Sequence, residues 1–276
     1  MDLSIEHRTR YHYSERLNYT IQQLRLTPRD GFGQRVKRWN ISVNGHLHRF
    51  DDVHGNAAHT LVLEGAHDEI SIIASGQVET GLAAVSTSHA MEHALPLAVY
   101  LRTTPLTETD MTLQRFVADY AMHAADSDLG WLEDMMEAIV QCVPYAKGST
   151  TVDTSAARAF ELGSGVCQDH AHIFIACCRW LGLPARYVSG YLFTDDGSLM
   201  ESHAWADVWL QDVGWQSFDV SNGCRTDGTH VRLAVGLDYR DACPIIGARI
   251  GGGTESMDAS VQINSTLLHQ AQQGQQ

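Results

Sequence analysis

The chain has 276 residues, of which 44% are hydrophobic and 19% are charged, and this suits one large or two small folded domains. The longest uncharged apolar stretch, residues 94–101, is far shorter than the roughly 20 residues of a membrane-spanning helix, and the first residues contain no apolar signal segment. The net charge of −14 disfavours contact with nucleic-acid phosphates. We therefore expect a cytoplasmic protein with no nucleic-acid partner and no membrane partner, whose six cysteines are reduced thiols.

Residues 1–100 carry the pattern of a β-rich domain. Hydrophobic and polar residues alternate in several runs, around Leu3 to His7, Leu24 to Leu26, Ile41 to Val43 and Leu61 to Leu63. This period of two is typical of half-buried strands, and turn signals such as Asn44-Gly45 separate the runs. The pattern predicts a β-sandwich-like N-terminal domain over residues 1–100.

The period changes in the second part of the chain. Apolar residues with helical spacing predict three helices, over Leu113–Ala121, Leu132–Val143 and Cys167–Leu181. Strands are predicted over residues 185–193, 202–210, 215–220 and 257–263. We therefore predict an α+β protein with a second domain over residues 101–265, followed by a disordered, glutamine-rich tail over residues 266–276.

Cys167 is the first candidate for chemistry. The glycines of Gly163-Ser164-Gly165 lead directly into a helix whose first residue would be Cys167. The unpaired N–H groups and the dipole at such an end favour a thiolate, which is the nucleophilic form, and the same N–H groups can receive an oxyanion. The other cysteines are expected to be buried or inert thiols, namely Cys142, Cys177, Cys178, Cys224 and Cys243.

His203 and Asp219 are the predicted partners of this thiol. Alternation in the run 202–210 places His203 and Asp207 on one face and small or apolar residues on the other, core-facing side. A three-residue connection to the next strand would bring Asp219 to the His203 face, within side-chain reach, whereas a four-residue connection would turn it away. Asp219 could then orient the imidazole. We expect Asp207, on the same face, to be solvated.

The segment from Tyr145 to Asp219 resembles the core of the bacterial transglutaminase-like cysteine proteases, a family of the papain-like superfamily. The motifs that carry the resemblance are Tyr145-Ala146-Lys147-Gly148, Gly165-Val166-Cys167-Gln168-Asp169, His203-Ala204-Trp205 and Gly214-Trp215 through Phe218-Asp219. Similar motifs before and after this core extend the resemblance to roughly residues 1–265. The sequence departs from the family pattern at His170, where an aromatic residue is common, and at Val220-Ser221, where Pro-Thr is usual.

The resemblance implies a papain-like, transglutaminase-type catalytic domain behind the β-rich N-terminal domain, with a triad of Cys167, His203 and Asp219. It implies acyl transfer at an amide bond through a thioester, with hydrolysis of a peptide or isopeptide in a protein substrate as the favoured outcome, and with no metal or other cofactor. Two alternatives stay open: a protein-glutamine transferase that forms cross-links, and a non-catalytic binding module on the same fold.

The surroundings of the triad are less determined by the sequence. The second donor to the oxyanion is not fixed by a motif, and Tyr145 and Gln168 are the candidates. Trp205 either packs beneath a neighbouring element or forms a wall of the substrate cleft. Asp169, His170 and Asp207 are polar residues close to the motifs, and this local polarity favours water over an amine as the acyl acceptor.

Overall fold

The computed structural model describes residues 1–82, 95–124, 129–194 and 202–265. It has the predicted α+β architecture, in which a β-rich N-terminal region precedes a mixed domain. The predicted glutamine-rich tail over residues 266–276 lies outside the described residues. None of the helices within the described ranges is long and apolar enough to cross a membrane.

The elements follow one another along the chain in three groups. The first group is β1 (Asp2–Thr27), β2 (Arg35–Val43), β3 (His46–Asp51) and β4 (Ala57–Glu79). The second is α1 (Met111–Ala118), α2 (Gly130–Cys142), α3 (Ala156–Leu162) and α4 (Cys167–Trp180). The third is β5 (Ala185–Leu192), β6 (His203–Leu210), β7 (Gly214–Asp219), β8 (Cys224–Arg225), β9 (His230–Gly236), α5 (Tyr239–Ala242), β10 (Ile245–Gly251) and β11 (Glu255–Ser265).

The N-terminal sheet is built on two long strands, β1 and β4, which pair with each other along most of their length. In one half of the sheet they are flanked by β11 and β2, and in the other half by β10 and β3. Apolar residues of both halves form one buried cluster, as in a sandwich. The segment 245–265, which the sequence assigned to the second domain, therefore belongs to this sheet, because a strand pattern predicts a strand but not its partner.

The central sheet of the second domain is antiparallel, with the strand order β8-β7-β6-β5-β9. Ala204, Ala206 and Val208 of β6 face a buried apolar cluster that they share with α2, α3 and α4, so the predicted core face of this strand is confirmed. The opposite face of the sheet packs against the N-terminal sheet, because Tyr191 and Val231 join the apolar cluster of that sheet.

Polar side chains also join the two sheets. Two side-chain amides of the N-terminal region bond the backbone of β9: Gln34 bonds the N–H and C=O of Arg232, and Asn56 bonds those of Val235. Asp207 lies beneath this contact and is fully buried, so the expectation that it is solvated is wrong. It binds Arg186 and Arg232, with N–O distances of 2.7–2.9 Å, because the N-terminal region covers the face on which it lies.

Candidate active site

Cys167 lies at the start of α4, as predicted. The preceding backbone is held by Asp169, whose carboxylate accepts the N–H of Val166 at 2.8 Å and the hydroxyl of Thr150 at 2.6 Å. Gly165 fits closely against this carboxylate, because a Cβ atom at position 165 would lie 2.8 Å from Cβ of Asp169. The loop therefore fixes the first turn of α4 and the position of the thiol.

The β6–β7 hairpin brings His203 and Asp219 together. Leu210 pairs with Gly214 and Trp209 with Trp215, which is the register predicted from a three-residue connection. Nε2 of His203 lies 2.7 Å from Oδ2 of Asp219, and the imidazole also interacts with the side chain of Cys167. Burial opposes the charge on the imidazole, but these two partners prevail and raise the pKa of His203 to about 10.

Asp219 is fully buried, and its carboxylate accepts hydrogen bonds from other donors in addition to His203. Its carboxylate accepts Nδ2 of Asn222 at 2.6 Å, Oγ of Ser221 at 3.0 Å and Nε2 of His230 at 3.0 Å. Burial alone would raise the pKa of Asp219, yet the hydrogen bonds from His203 and His230 hold it well below its usual range. Asp219 is therefore a carboxylate at neutral pH.

Sequence reasoning did not assign a role to Ser221, Asn222 or His230. The first two lie two and three residues after Asp219, and a signal for them was available, since an Asp side chain often hydrogen-bonds the backbone two or three residues further on, as Asp219 does with the N–H of Asn222. His230 comes from β9, and only the pairing of strands brings it to Asp219. Its Nδ1 lies 3.2 Å from both the backbone N and Oδ1 of Asp227. Its Nε2 faces an ionised carboxylate oxygen, which can only accept, so Nε2 carries the proton that His230 donates to Asp219.

The remaining site candidates lie in three different environments. Tyr145 is half exposed beside the start of α4. The side-chain amide of Gln168 donates to the carbonyl of Val152 at 3.0 Å, whereas the backbone N–H groups of Cys167 and Gln168 have no acceptor within the helix. Trp205 is buried beside Val188 and Val235, with its ring centroid 6.1 Å from that of His203. It packs behind the histidine and does not form the wall of an open cleft.

Three polar residues are expected from the sequence to keep water near a thioester on Cys167, but none of them lies at the surface of the site. Asp207 lies on the far face of the central sheet, and Asp169 and His170 are buried within α4. Nε2 of His170 donates to the carbonyl of Val143 at 2.6 Å. Among the described residues, His203, Asp219 and His230 are grouped closely enough to hold a metal ion, but these donor atoms already bond one another at 2.7 and 3.0 Å.

The other cysteines differ from one another in exposure. Cys177, Cys178 and Cys243 are buried, as expected, but Cys142 and Cys224 are exposed, because each lies at the end or edge of its element. Partial burial and the charges of Asp219 and Asp227 raise the pKa of Cys224 to about 11. The side chain of Cys167, in contrast, interacts with the imidazole of His203.

Two family models match separate parts of this chain. The bacterial transglutaminase-like N-terminal region matches residues 3–79, and the transglutaminase-like superfamily matches residues 115–220. The chain thus has two domains in the order seen here, one that matches the bacterial transglutaminase-like N-terminal region and one that matches the transglutaminase-like superfamily.

Relatives and a solved structure cover nearly the whole chain. An uncharacterized protein of Mycobacterium leprae is 28% identical over 280 residues, which cover 95% of this chain and 98% of the relative. An uncharacterized protein of Mycobacterium tuberculosis is 28% identical over 290 residues, covering 94% and 91%. A structure from Cytophaga hutchinsonii, described as a "putative cysteine protease", matches with a TM-score of 0.74 at 20% identity, over 96% of this chain and 91% of that one. This last likeness shows that the fold is shared.

Proposed function

We propose that the protein is a cysteine-dependent hydrolase that cleaves amide bonds in a peptide or protein through a thioester. The observation that carries the proposal is the position of His203, which interacts with the side chain of Cys167 and lies 2.7 Å from the buried carboxylate of Asp219. All six cysteines are free, which suits a reducing compartment such as the cytosol.

In the proposed reaction, Sγ of Cys167 attacks the carbonyl carbon of the amide, and the N–H groups in the first turn of α4 receive the oxyanion. His203 gives a proton to the leaving nitrogen and the C–N bond breaks. The amine departs, and the acyl group stays on Sγ of Cys167 as a thioester. His203 then takes a proton from water, the hydroxide attacks the thioester, and a carboxylic acid and the free thiol result. Asp219 orients His203 and stabilises its charged form throughout.

Water is the favoured acceptor in this proposal because the rim of the site is open. Tyr145, Asn222 and Cys224 are exposed near the triad and Cys167 itself is partly exposed, so a thioester on Cys167 would be in contact with solvent. A transferase would need surroundings that admit an amine and exclude water.

A competition experiment tests hydrolysis against transfer. A peptide library is incubated with the protein and an excess of a lysine analogue, and the products are read by mass spectrometry. We expect hydrolysed peptides from the unmodified protein and from Cys142→Ala, and none from Cys167→Ala. A majority of lysine conjugates would make the protein a transferase, whereas peptide binding without turnover, unchanged in Cys167→Ala, would make it a binding module.

A further inference from the structure

A small buried cavity lies between the N-terminal sheet and the face of the central sheet opposite α4. Its volume is about 20 Å³, and its lining includes Arg29, Phe32, His54, Asn56, Arg186 and Arg232. Since about 10–15 Å³ holds one water molecule, this space fits a single-atom ion or one or two waters. It is too small for a phosphate, a sulfate or a carboxylate group.

Three guanidinium N–H groups in the lining meet no acceptor in the described part of the chain. They belong to Nη2 of Arg186, Nε of Arg232 and Nε of Arg29. Arg186 is 1% exposed and Arg232 is 8% exposed, so bulk water does not reach them. Aromatic rings cover the flat faces of both guanidinium groups. Cζ of Arg186 lies 4.0 Å from the ring centroid of Trp215, and Cζ of Arg232 lies 4.2 Å from that of Phe32. The N–H edges of the guanidinium groups stay available to bind a ligand.

The buried charges around this cavity do not balance within the described residues. Asp207 is the carboxylate shared by Arg186 and Arg232, so one of these two positive charges lacks a counter-charge. Burial raises the pKa of the neighbouring Tyr100, which therefore stays neutral. The other charged groups of the lining have partners of their own, since Arg29 binds the exposed Asp51 and His54 binds Asp241.

We propose that this cavity binds one small monovalent anion, of the halide class, with chloride as the natural occupant. The anion would accept the free N–H groups of Arg186, Arg232 and Arg29, and it would neutralise the excess buried charge. Water could accept the same hydrogen bonds but would leave the charge uncompensated, and an uncompensated buried charge is strongly unfavourable. The size of the cavity, its free N–H groups and its excess positive charge all match a small monovalent anion.

The site would join the two parts of the protein. Arg29, Phe32 and Asn56 come from the N-terminal region, while Arg186 and Arg232 come from the central sheet that carries His203 and Asp219. An anion bound only when these parts are docked stabilises the folded protein by mass action. This inference does not depend on the chemistry proposed for Cys167.

Thermal unfolding provides the first test. The melting temperature is measured in sodium chloride, sodium bromide and sodium gluconate at equal ionic strength. Above the dissociation constant, we expect each tenfold rise in halide to increase Tm by about 3–5 °C relative to gluconate. Arg186→Met removes the excess charge and should abolish this halide effect, whereas Arg158→Gln, at an exposed ion pair of α3, should keep it.

Crystals of the unmodified protein soaked in bromide provide a second test that needs no variant. We expect an anomalous peak in the cavity, within hydrogen-bond distance of Nη2 of Arg186. Equal Tm values in chloride and gluconate would overturn the proposal, and so would a cavity that contains only water after the bromide soak. If Arg186→Met fails to fold, the bromide peak alone decides between these outcomes.

Discussion

Cys167 differs from the other cysteines in what lies beside its thiol. His203 contacts it, and although burial opposes the imidazole charge, the hydrogen bonds of His203 raise its pKa to about 10. The imidazole is therefore protonated at pH 7, and cysteines that lie at the start of a helix beside a charged imidazole are typically more reactive than isolated exposed cysteines. We expect iodoacetamide at pH 7 to label Cys167 about tenfold faster than Cys142, or faster still.

Peptide mapping of the labelled native protein measures this difference. Cys142 and Cys224 are matched controls, because both are exposed, and the pKa of Cys224, raised to about 11 by partial burial and by Asp219 and Asp227, predicts slow labelling there. His203→Gln should reduce labelling of Cys167 toward the rate of Cys142. Equal rates at Cys167 and Cys142 in the unmodified protein would show that the imidazole does not activate the thiol.

His230 is predicted to position Asp219 without contacting the substrate. Its Nε2 donates to the same carboxylate oxygen that His203 contacts, at 3.0 Å and 2.7 Å respectively. We expect His230→Ala to lower kcat by about 10–100-fold, the usual cost of losing a residue that orients a ligand or base, with KM unchanged. His230→Gln keeps an N–H donor and should recover part of the loss.

Two comparisons make the His230 prediction specific. Asp219→Asn should lose more activity than His230→Ala but less than Cys167→Ala or His203→Ala, because an orienting residue can be replaced in part and a nucleophile or base cannot. His59→Gln, at a buried histidine of β4, serves as the control for a buried histidine elsewhere. A change in KM with kcat unchanged in His230→Ala would indicate a role in substrate binding instead.

At the scale of one element, the two ends of α4 can be tested against each other. A Cβ atom at Gly165 would lie 2.8 Å from Cβ of Asp169, whereas one at Gly182, just beyond the other end, would meet nothing within 4 Å. Gly165→Ala should lower stability by about 1–3 kcal/mol and slow the labelling of Cys167. Gly182→Ala should cost only the strain of its positive φ, about 1 kcal/mol, with labelling unchanged. Equal labelling rates in both variants would mean that the loop before α4 does not position the thiol.

The elements also show what local spacing can predict. The three-residue connection between β6 and β7 determines which face Asp219 occupies, because a shift of one residue reverses every side chain, and the prediction made on that basis matches the observed register. The start of α4 at Cys167 followed from glycines and helical spacing in the same way. The pairing of β10 and β11 with β1 joins segments more than 200 residues apart, and no spacing within either segment indicates it.

At the scale of the whole molecule, the sequence did not indicate which surface the N-terminal sheet covers. The alternation in β6 correctly separated the face toward α4 from the other face, but it offered no means to tell whether the second face meets water or protein. Asp207 was therefore expected to be solvated and is fully buried. Burial would raise its pKa, and the charges of Arg232 and Arg186 lower it to about 2, which a residue in solvent would not show.

Two buried histidines, His7 in the N-terminal sheet and His172 in α4, predict that the protein loses stability in mild acid. Burial lowers the pKa of His7 to about 4 and that of His172 to about 3, from an ordinary value of 6.5. Between pH 6.5 and pH 4 the unfolded chain binds protons at these sites and the folded chain does not, so the free energy of unfolding falls as the pH falls. Each site contributes about 1 kcal/mol per pH unit.

Burial also lowers the pKa of His59 and His170, which add to this loss, and raises the pKa of Asp169, which opposes it. Two other titrating groups act outside this window. His203, with its pKa raised to about 10 after hydrogen bonds outweigh burial, contributes stability that is complete below pH 6.5 and is lost as the pH rises toward 10. Burial would raise the pKa of Asp207, but Arg232 and Arg186 lower it to about 2. Asp207 therefore contributes stability that is lost only as the pH falls below the ordinary pKa of 3.8.

Urea unfolding at pH 6.5, 5.5 and 4.5 therefore reports mainly on the buried histidines. His172→Gln, whose amide oxygen can still accept the N–H of Tyr239 that Nε2 of His172 accepts at 3.1 Å, should reduce the slope by about 1 kcal/mol per pH unit, while His12→Gln at an exposed site should leave it unchanged. An unchanged slope in His172→Gln would mean that His172 is protonated in the folded protein, in spite of its burial.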